Sequence, residues 1–132
     1  MTTTDKSLFT AAEAIRAKAY APYSNFHVGA AILADDGNIY SGCNIENAAY
    51  GLCNCAERTA IFKAVSAGQQ AFTAIAIIAD TAGPCPPCGA CRQVIGEFQI
   101  PTIIMANLQG ARKSVTLAEI LPYSFGAAEL ND

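Results

Sequence analysis

The chain has 132 residues, 52% of them hydrophobic and only 14% charged, which is enough for one domain with its own core and excludes a disordered polar tail. Its formal charge is −3, and its eight basic residues are scattered apart from Arg112 and Lys113, so no basic stripe is available to neutralise the phosphates of a polynucleotide. The start "MTTTDKSLF" lacks a basic segment followed by an apolar one, and no apolar run approaches the roughly eighteen residues of a membrane span. A soluble, cytoplasmic protein is expected, with its six cysteines as free or metal-bound thiols rather than a disulfide framework.

In chain order, Leu8, Ala11, Ala12, Ile15 and Ala19 recur at helical spacing and predict a helix from Ser7 to Tyr20, ended by "APYSN". "HVGAAILA" and "IYSGCNI" flank the turn "DDGN" and read as an antiparallel hairpin. "CAERTAIFKAVSAG" is rich in helix formers, with Ala60, Ile61, Ala64 and Val65 on one face and Gly68 suited to the C-terminal cap. "AIAIIAD" and "PTIIMAN" are short apolar runs of the kind found in strands buried on both faces, and "CGACRQVIGEF" between them reads as a crossover helix. A last strand at about Ser114 to Leu117 and a short C-terminal helix complete the order. The connection "LQGARK" is too short for a second crossover, so the last two strands are expected to be antiparallel. The expectation is a single α/β domain over residues 1–132: three layers, with a mixed, roughly five-stranded sheet between helices.

The stretch "PCPPCGAC", residues 84–91, contains two overlapping Cys-x-x-Cys pairs that share Cys88. A redox couple, a structural zinc clamp and a catalytic zinc site each use that spacing. Cys88 and Cys91 fall at the first turn of one predicted helix, and Cys55 opens the preceding one. The partial positive charge at helix starts favours thiolates, and three thiolates can hold Zn²⁺ while leaving its fourth position open to water. Glu57, two residues beyond Cys55, becomes a candidate proton shuttle. A redox pair of Cys85 with Cys88, and a closed four-thiolate site recruiting Cys53 or Cys43, stay open as alternatives.

"CNIENAAYGLCNCAERTAIF" and "PCGACRQV", together with "APYSNFHVGAAI" and "ILPYSFG", resemble the nucleoside cytidine deaminases nearly from end to end. The Cys-x-Glu and Pro-Cys-x-x-Cys elements are a known signature of zinc deaminases. The resemblance implies one zinc ion on Cys55, Cys88 and Cys91 of each subunit, Glu57 as general acid and base, and Arg58 hydrogen-bonded to the cysteine sulfurs. It further implies Asn44 and Glu46 on the ribose 3′-hydroxyl, Phe26 against the pyrimidine, and the amides of Ala56 and Cys88 on the base. A homotetramer with shared active sites is implied as well, with Phe125 and the segment Ala48 to Tyr50 reaching into a neighbour's pocket. Tyr50, Leu52, Phe125 and Leu130 support that independently, as apolar groups in loops or near a terminus. Cys43, Cys53 and Cys85 are expected to be ordinary buried thiols, and His27 to be non-catalytic. The expected reaction is hydrolytic deamination of cytidine and 2′-deoxycytidine to the uridines with release of ammonia, with no membrane or nucleic acid polymer as partner. The alternatives are a blasticidin-type or other small-molecule aminohydrolase on the same fold, or a zinc-stabilised binding module without activity.

Overall fold

Alternation along the strands sorts apolar side chains onto two faces, and helices cover both. In the computed structural model, residues 3–131 are described. They form α1 (Thr3–Arg16), β1 (Val28–Ala34), β2 (Ile39–Cys43), α2 (Ala56–Ser66), β3 (Phe72–Ala79), α3 (Gly89–Glu97), β4 (Thr102–Asn107), β5 (Arg112–Thr116), α4 (Leu117–Ile120) and α5 (Ala127–Leu130), with a 3-10 turn at Tyr50–Leu52. On one face Ala31, Ala74, Ala76, Ile78, Ile104 and Ala106 pack against Leu8, Phe9 and Ala12 of α1. On the other, Ala30, Ile32, Ile75, Ile77, Ile103 and Met105 meet Ala60, Ile61 and Ala64 of α2 and Ile95 of α3. Three layers result, as expected.

β3 is at the centre of the sheet, whose order is β2-β1-β3-β4-β5. Ile75 and Ile77 are fully buried on one face and Ile78 almost fully on the other; burying each is worth about 1.5–3 kcal/mol. β1 runs antiparallel to both β2 and β3, so β2 and β3 point the same way. β3 and β4 are parallel, joined through α3, and β4 pairs antiparallel with β5. The common direction of β2 and β3 matters for function. The loops that follow them leave the same edge of the sheet, and each loop leads into a helix, α2 or α3.

Three boundaries differ from the sequence reading. α1 spans Thr3–Arg16 rather than Ser7 to Tyr20, because residues near its predicted end have stronger partners elsewhere. Arg16 Nε donates to the His27 carbonyl at 2.9 Å, and the backbone of Tyr20 bonds Asn44 and Glu46 at 3.0 and 2.8 Å. β5 begins at Arg112, not near Ser114: Ala106 pairs with Arg112, whose guanidinium lies 4.0 Å over the Phe9 ring. The single predicted C-terminal helix is two short ones. Thr116 and Glu119 form a reciprocal cap that starts α4 at Leu117, and α5 follows after the segment around Pro122.

Candidate metal centre

Cys55 is the residue at the N-terminal cap of α2, and Cys88 occupies the same place on α3. Since β2 and β3 deliver their loops to one edge, the two helix starts converge, and Cys91 joins them from the first turn of α3. The three sulfurs lie within 4.8 Å of one another, with Cys55 Sγ and Cys88 Sγ 3.7 Å apart. A tetrahedral zinc ion with Zn–S bonds of about 2.3 Å separates its ligands by roughly 3.8 Å. The donor set therefore fits zinc in element, number and spacing, and three ligands leave one position open.

Local bonds hold the cluster. The Cys91 amide donates to Cys88 Sγ at 3.5 Å, while Arg58 Nη2 donates to Cys55 Sγ at 3.3 Å. Arg58 Nε is buried without an acceptor among the described residues. Hydrogen bonding from Cys91, then from Arg58 and Cys88, holds the Cys55 thiol down at about 5 against the opposing effect of burial. Acting as donor to Cys55 pushes the Cys91 thiol up.

Glu57 is 4% exposed. Burial first, and then the charge on Cys55, pushes its carboxyl up to about 7. It lines a cavity of about 140 Å³ together with Phe26, Val28, Asn44, Cys55, Ala56, Cys85, Pro86 and Cys88. Ala56 is the first residue of α2 and presents an amide that no helical carbonyl can satisfy. Asn44 Oδ1 accepts from the Val28 amide at 2.9 Å and its Nδ2 donates to the Phe26 carbonyl at 2.7 Å, so this side chain holds the Phe26 wall in place.

The remaining candidates lie elsewhere. Glu46 lines a separate, more open depression of about 300 Å³ with Tyr23, Ser24, Tyr50 and Cys53. Its carboxylate accepts from the Tyr23 and Ser24 amides at 3.0 and 3.1 Å and from the Ser24 hydroxyl, and the Ser24 hydroxyl foremost holds it below the usual carboxylate range. Ala48 is exposed. Phe125 flanks a groove beside the end of α3, where its carbonyl accepts from Gln93 Nε2 at 2.8 Å. Neither Ala48, Tyr50 nor Phe125 is among the residues that line the cavity holding Glu57.

The other cysteines separate by geometry. Cys53 is only half-buried, and its Sγ exchanges bonds with the Asn47 backbone at 3.3 and 3.6 Å. Cys43 is buried at the end of β2. Neither belongs to the sulfur cluster, which among the described residues contains Cys55, Cys88 and Cys91. Cys85 turns its thiol towards the Pro86 carbonyl at 3.7 Å while Cys88 faces Cys55. Burial, then the nearby Glu57, pushes Cys85 up to about 11, which keeps it a thiol. Sequence reasoning passed over Cys85, Pro86 and Val28 as cavity walls; for the first two, their place just before Cys88 was the available signal. It also passed over Tyr23 and Ser24, whose turn anchors Glu46.

The family description "Cytidine and deoxycytidylate deaminase zinc-binding region" matches residues 2–107. A cytidine deaminase of Sporosarcina psychrophila is 53% identical over 129 residues, covering 96% of this chain and 94% of that protein. One of Halalkalibacterium halodurans is 54% identical over 124 residues, covering 91% and 94%. The crystal structure of cytidine deaminase from Burkholderia pseudomallei superposes with a TM-score of 0.89 at 51% identity, covering 95% of this chain and all of that one.

Purified protein is expected to carry one tightly held zinc ion per chain. Replacing Cys55, Cys88 or Cys91 by serine should abolish retention, since no fourth thiolate stands ready to substitute. The Cys53→Ser and Cys85→Ser proteins should keep the ion. Metal analysis of the five variants checks this; loss from Cys85→Ser with retention in Cys91→Ser would contradict it.

Proposed function

The chain belongs to the cytidine and deoxycytidylate deaminase family, and we propose that it works through Glu57 beside the Cys55, Cys88 and Cys91 cluster. It catalyses zinc-dependent hydrolytic deamination of cytidine and 2′-deoxycytidine to uridine and 2′-deoxyuridine. The observation that carries the site assignment is a buried carboxyl that shares one cavity with Cys55 and Cys88, two of three convergent sulfurs.

Cys55, Cys88 and Cys91 would hold the zinc ion, which when bound would lower the pKa of water from 15.7 towards about 7, as in favourable sites, and so supply a nucleophile at neutral pH. Arg58 offsets part of the negative charge of the thiolates, which would otherwise oppose that effect. Glu57 takes one proton from the attacking water and places it on N3 of the cytosine ring, which makes C4 the electrophile. Oxygen bonds to C4. Glu57 then conveys the second water proton to the exocyclic nitrogen, the C4–N bond breaks, and ammonia leaves behind the uracil carbonyl. A single carboxyl serves both transfers because its pKa is close to the working pH.

The surroundings support a nucleoside as substrate. Neither the cavity nor the depression containing Glu46 has a lysine or arginine in its lining, so a phosphate-bearing substrate would find no cation and would meet the Glu46 carboxylate. Asn44 keeps one Nδ2 hydrogen and one acceptor lone pair beyond its two bonds. With the ionised Glu46 it can bind the ribose 3′-hydroxyl, while Phe26 stacks on the base and the Ala56 and Cys88 amides orient it.

We assign residues 1–132 to one catalytic domain that assembles as a homotetramer. Tyr50 is 73% exposed and Phe125 59%, a placement that supports their contribution, with Ala48, to a neighbouring subunit's pocket. No helix among the described residues is long and apolar enough to cross a membrane. The free cysteines accord with a reducing, cytoplasmic setting.

Glu57→Ala protein should keep its zinc and fold but lose about 10²- to 10⁴-fold in turnover, followed by the ultraviolet change from cytidine to uridine; near-normal turnover of the zinc-loaded variant would end the mechanism. 3′-Deoxycytidine should react far worse than cytidine, by up to ~10⁴-fold, because the buried Asn44 amide would face the missing hydroxyl without a partner. Equal kcat/KM for the two would remove the assigned ribose contacts. Co-assembled Glu57→Ala and Phe125→Ala chains, verified as mixed tetramers by native mass spectrometry, should exceed the mean activity of their parents. Activity equal to that mean would leave each pocket to its own chain.

A further inference from the structure

Two glycines on neighbouring strands sit under helices on opposite faces of the sheet. A Cβ added at Gly42 in β2 would overlap the Ala60 amide nitrogen and lie 2.8 Å from both the carbonyl carbon and the Cβ of Thr59. One added at Gly29 in β1 would overlap the Ala12 carbonyl oxygen and lie 2.9 Å from Arg16 Cβ. In each case the obstruction includes backbone, so the helix itself would have to move. Gly29 seats α1, which carries no part of the metal centre. Gly42 seats α2, which carries Cys55 at its cap and Glu57 and Arg58 in its first turn.

The contact at Gly42 lies next to the bonds that shape that turn. Thr59 donates to the Cys55 carbonyl twice, from its amide at 3.1 Å and from its hydroxyl at 3.2 Å. Its hydroxyl also accepts from Asn54 Nδ2 at 2.9 Å. On the strand side, Gly42 is followed after one residue by Asn44, which grips Phe26 and Val28. Asn44, Cys55 and Glu57 line one cavity. The Gly42–Thr59 contact is therefore a direct packing link between the strand that carries one wall of the cavity and the helix that carries another.

We propose that Gly42 and Thr59 together are positioning residues for the metal centre: the side chain Gly42 lacks lets the first turn of α2 rest on β2, and Thr59, the residue seated there, holds the Cys55 carbonyl with its hydroxyl, which fixes Cys55 and Glu57 relative to Asn44. This rests on the roles assigned above to Cys55 and Glu57. Restoring ordinary contact around a Cβ at Gly42 requires α2 to retreat by about an ångström, and a misplacement of ~1 Å costs on the order of 10²-fold in rate.

The test compares zinc-loaded wild type, Gly42→Ala and Gly29→Ala for thermal stability, zinc release to excess chelator, and kcat and KM for cytidine. Both variants should lose stability, because each lifts a helix from the sheet. Only Gly42→Ala should release zinc faster, by tenfold or more on the order expected for a disturbed ligand shell, and only it should lose about 10²-fold in kcat. Gly29→Ala should retain wild-type zinc release, and its kcat should fall much less than that of Gly42→Ala. Thr59→Val, which removes the hydroxyl's bonds to the Cys55 carbonyl and to Asn54 and adds no bulk, keeps the question open to experiment should Gly42→Ala fail to fold. It should release zinc faster and show a lower kcat with a smaller change in KM. Wild-type zinc release and kcat in Thr59→Val, or a Gly42→Ala protein that matches Gly29→Ala in both, would overturn the proposal while leaving the zinc and Glu57 assignments intact. Wild-type protein with neither zinc nor turnover would bring down both readings together.

Discussion

Three sulfurs within 4.8 Å of one another are a concentration of potential negative charge, and the rest of the site can be understood as a response to it. Separate thiolates at such distances repel strongly in a partly buried setting. The fold offsets this with the starts of two helices, the guanidinium of Arg58, and a donor set that fits a doubly charged ion. Burial foremost, with the charge on Cys55 beside it, pushes the Glu57 carboxyl up to about 7.

The convergence depends on strand direction rather than on any one side chain. β1 is antiparallel to both of its neighbours, so β2 and β3 end at the same edge. A helix that starts just past that edge points its unsatisfied amides, and its capping residue, at the space above the sheet. With two such helices side by side, Cys55 and Cys88 meet although 33 positions separate them. The apolar core under them, built on both faces of β3, makes the meeting point rigid. A rigid meeting point holds the three sulfurs and Glu57 in a fixed mutual geometry.

The polar groups of the cavity and of the neighbouring depression are tied down by the fold itself. Asn44 spans the Phe26 carbonyl and the Val28 amide, and Glu46 is held by the turn at Tyr23 and Ser24. Such bonds limit the ordering that binding must otherwise supply. Arg92 extends the same economy to the other helix, bonding the Pro87 carbonyl just ahead of Cys88 and the Ile120 carbonyl at the end of α4. The cysteine-bearing loop is thereby linked to the C-terminal segment.

What the sequence determined by itself was local chemistry and layer order. Helical spacing, the apolar strand runs and the short connection "LQGARK" are properties of neighbouring residues, so α2, α3, the mixed sheet and the antiparallel last pair were legible, as were the three cysteines at helix starts and Glu57 beside one of them. Boundaries set by distant partners were not legible. α1 ends at Arg16 because Arg16 and Tyr20 bond segments far along the chain, and β5 begins at Arg112 because Ala106 pairs with it. Only tertiary structure excluded Cys53 from the sulfur cluster by turning it to the Asn47 backbone, made Cys85 a wall of the cavity, and put Gly42 under the first turn of α2. The physical reason is common to all of these: spacing along a chain reports which residues share a helix face or a strand face, whereas distance across two elements depends on how closely their backbones pack.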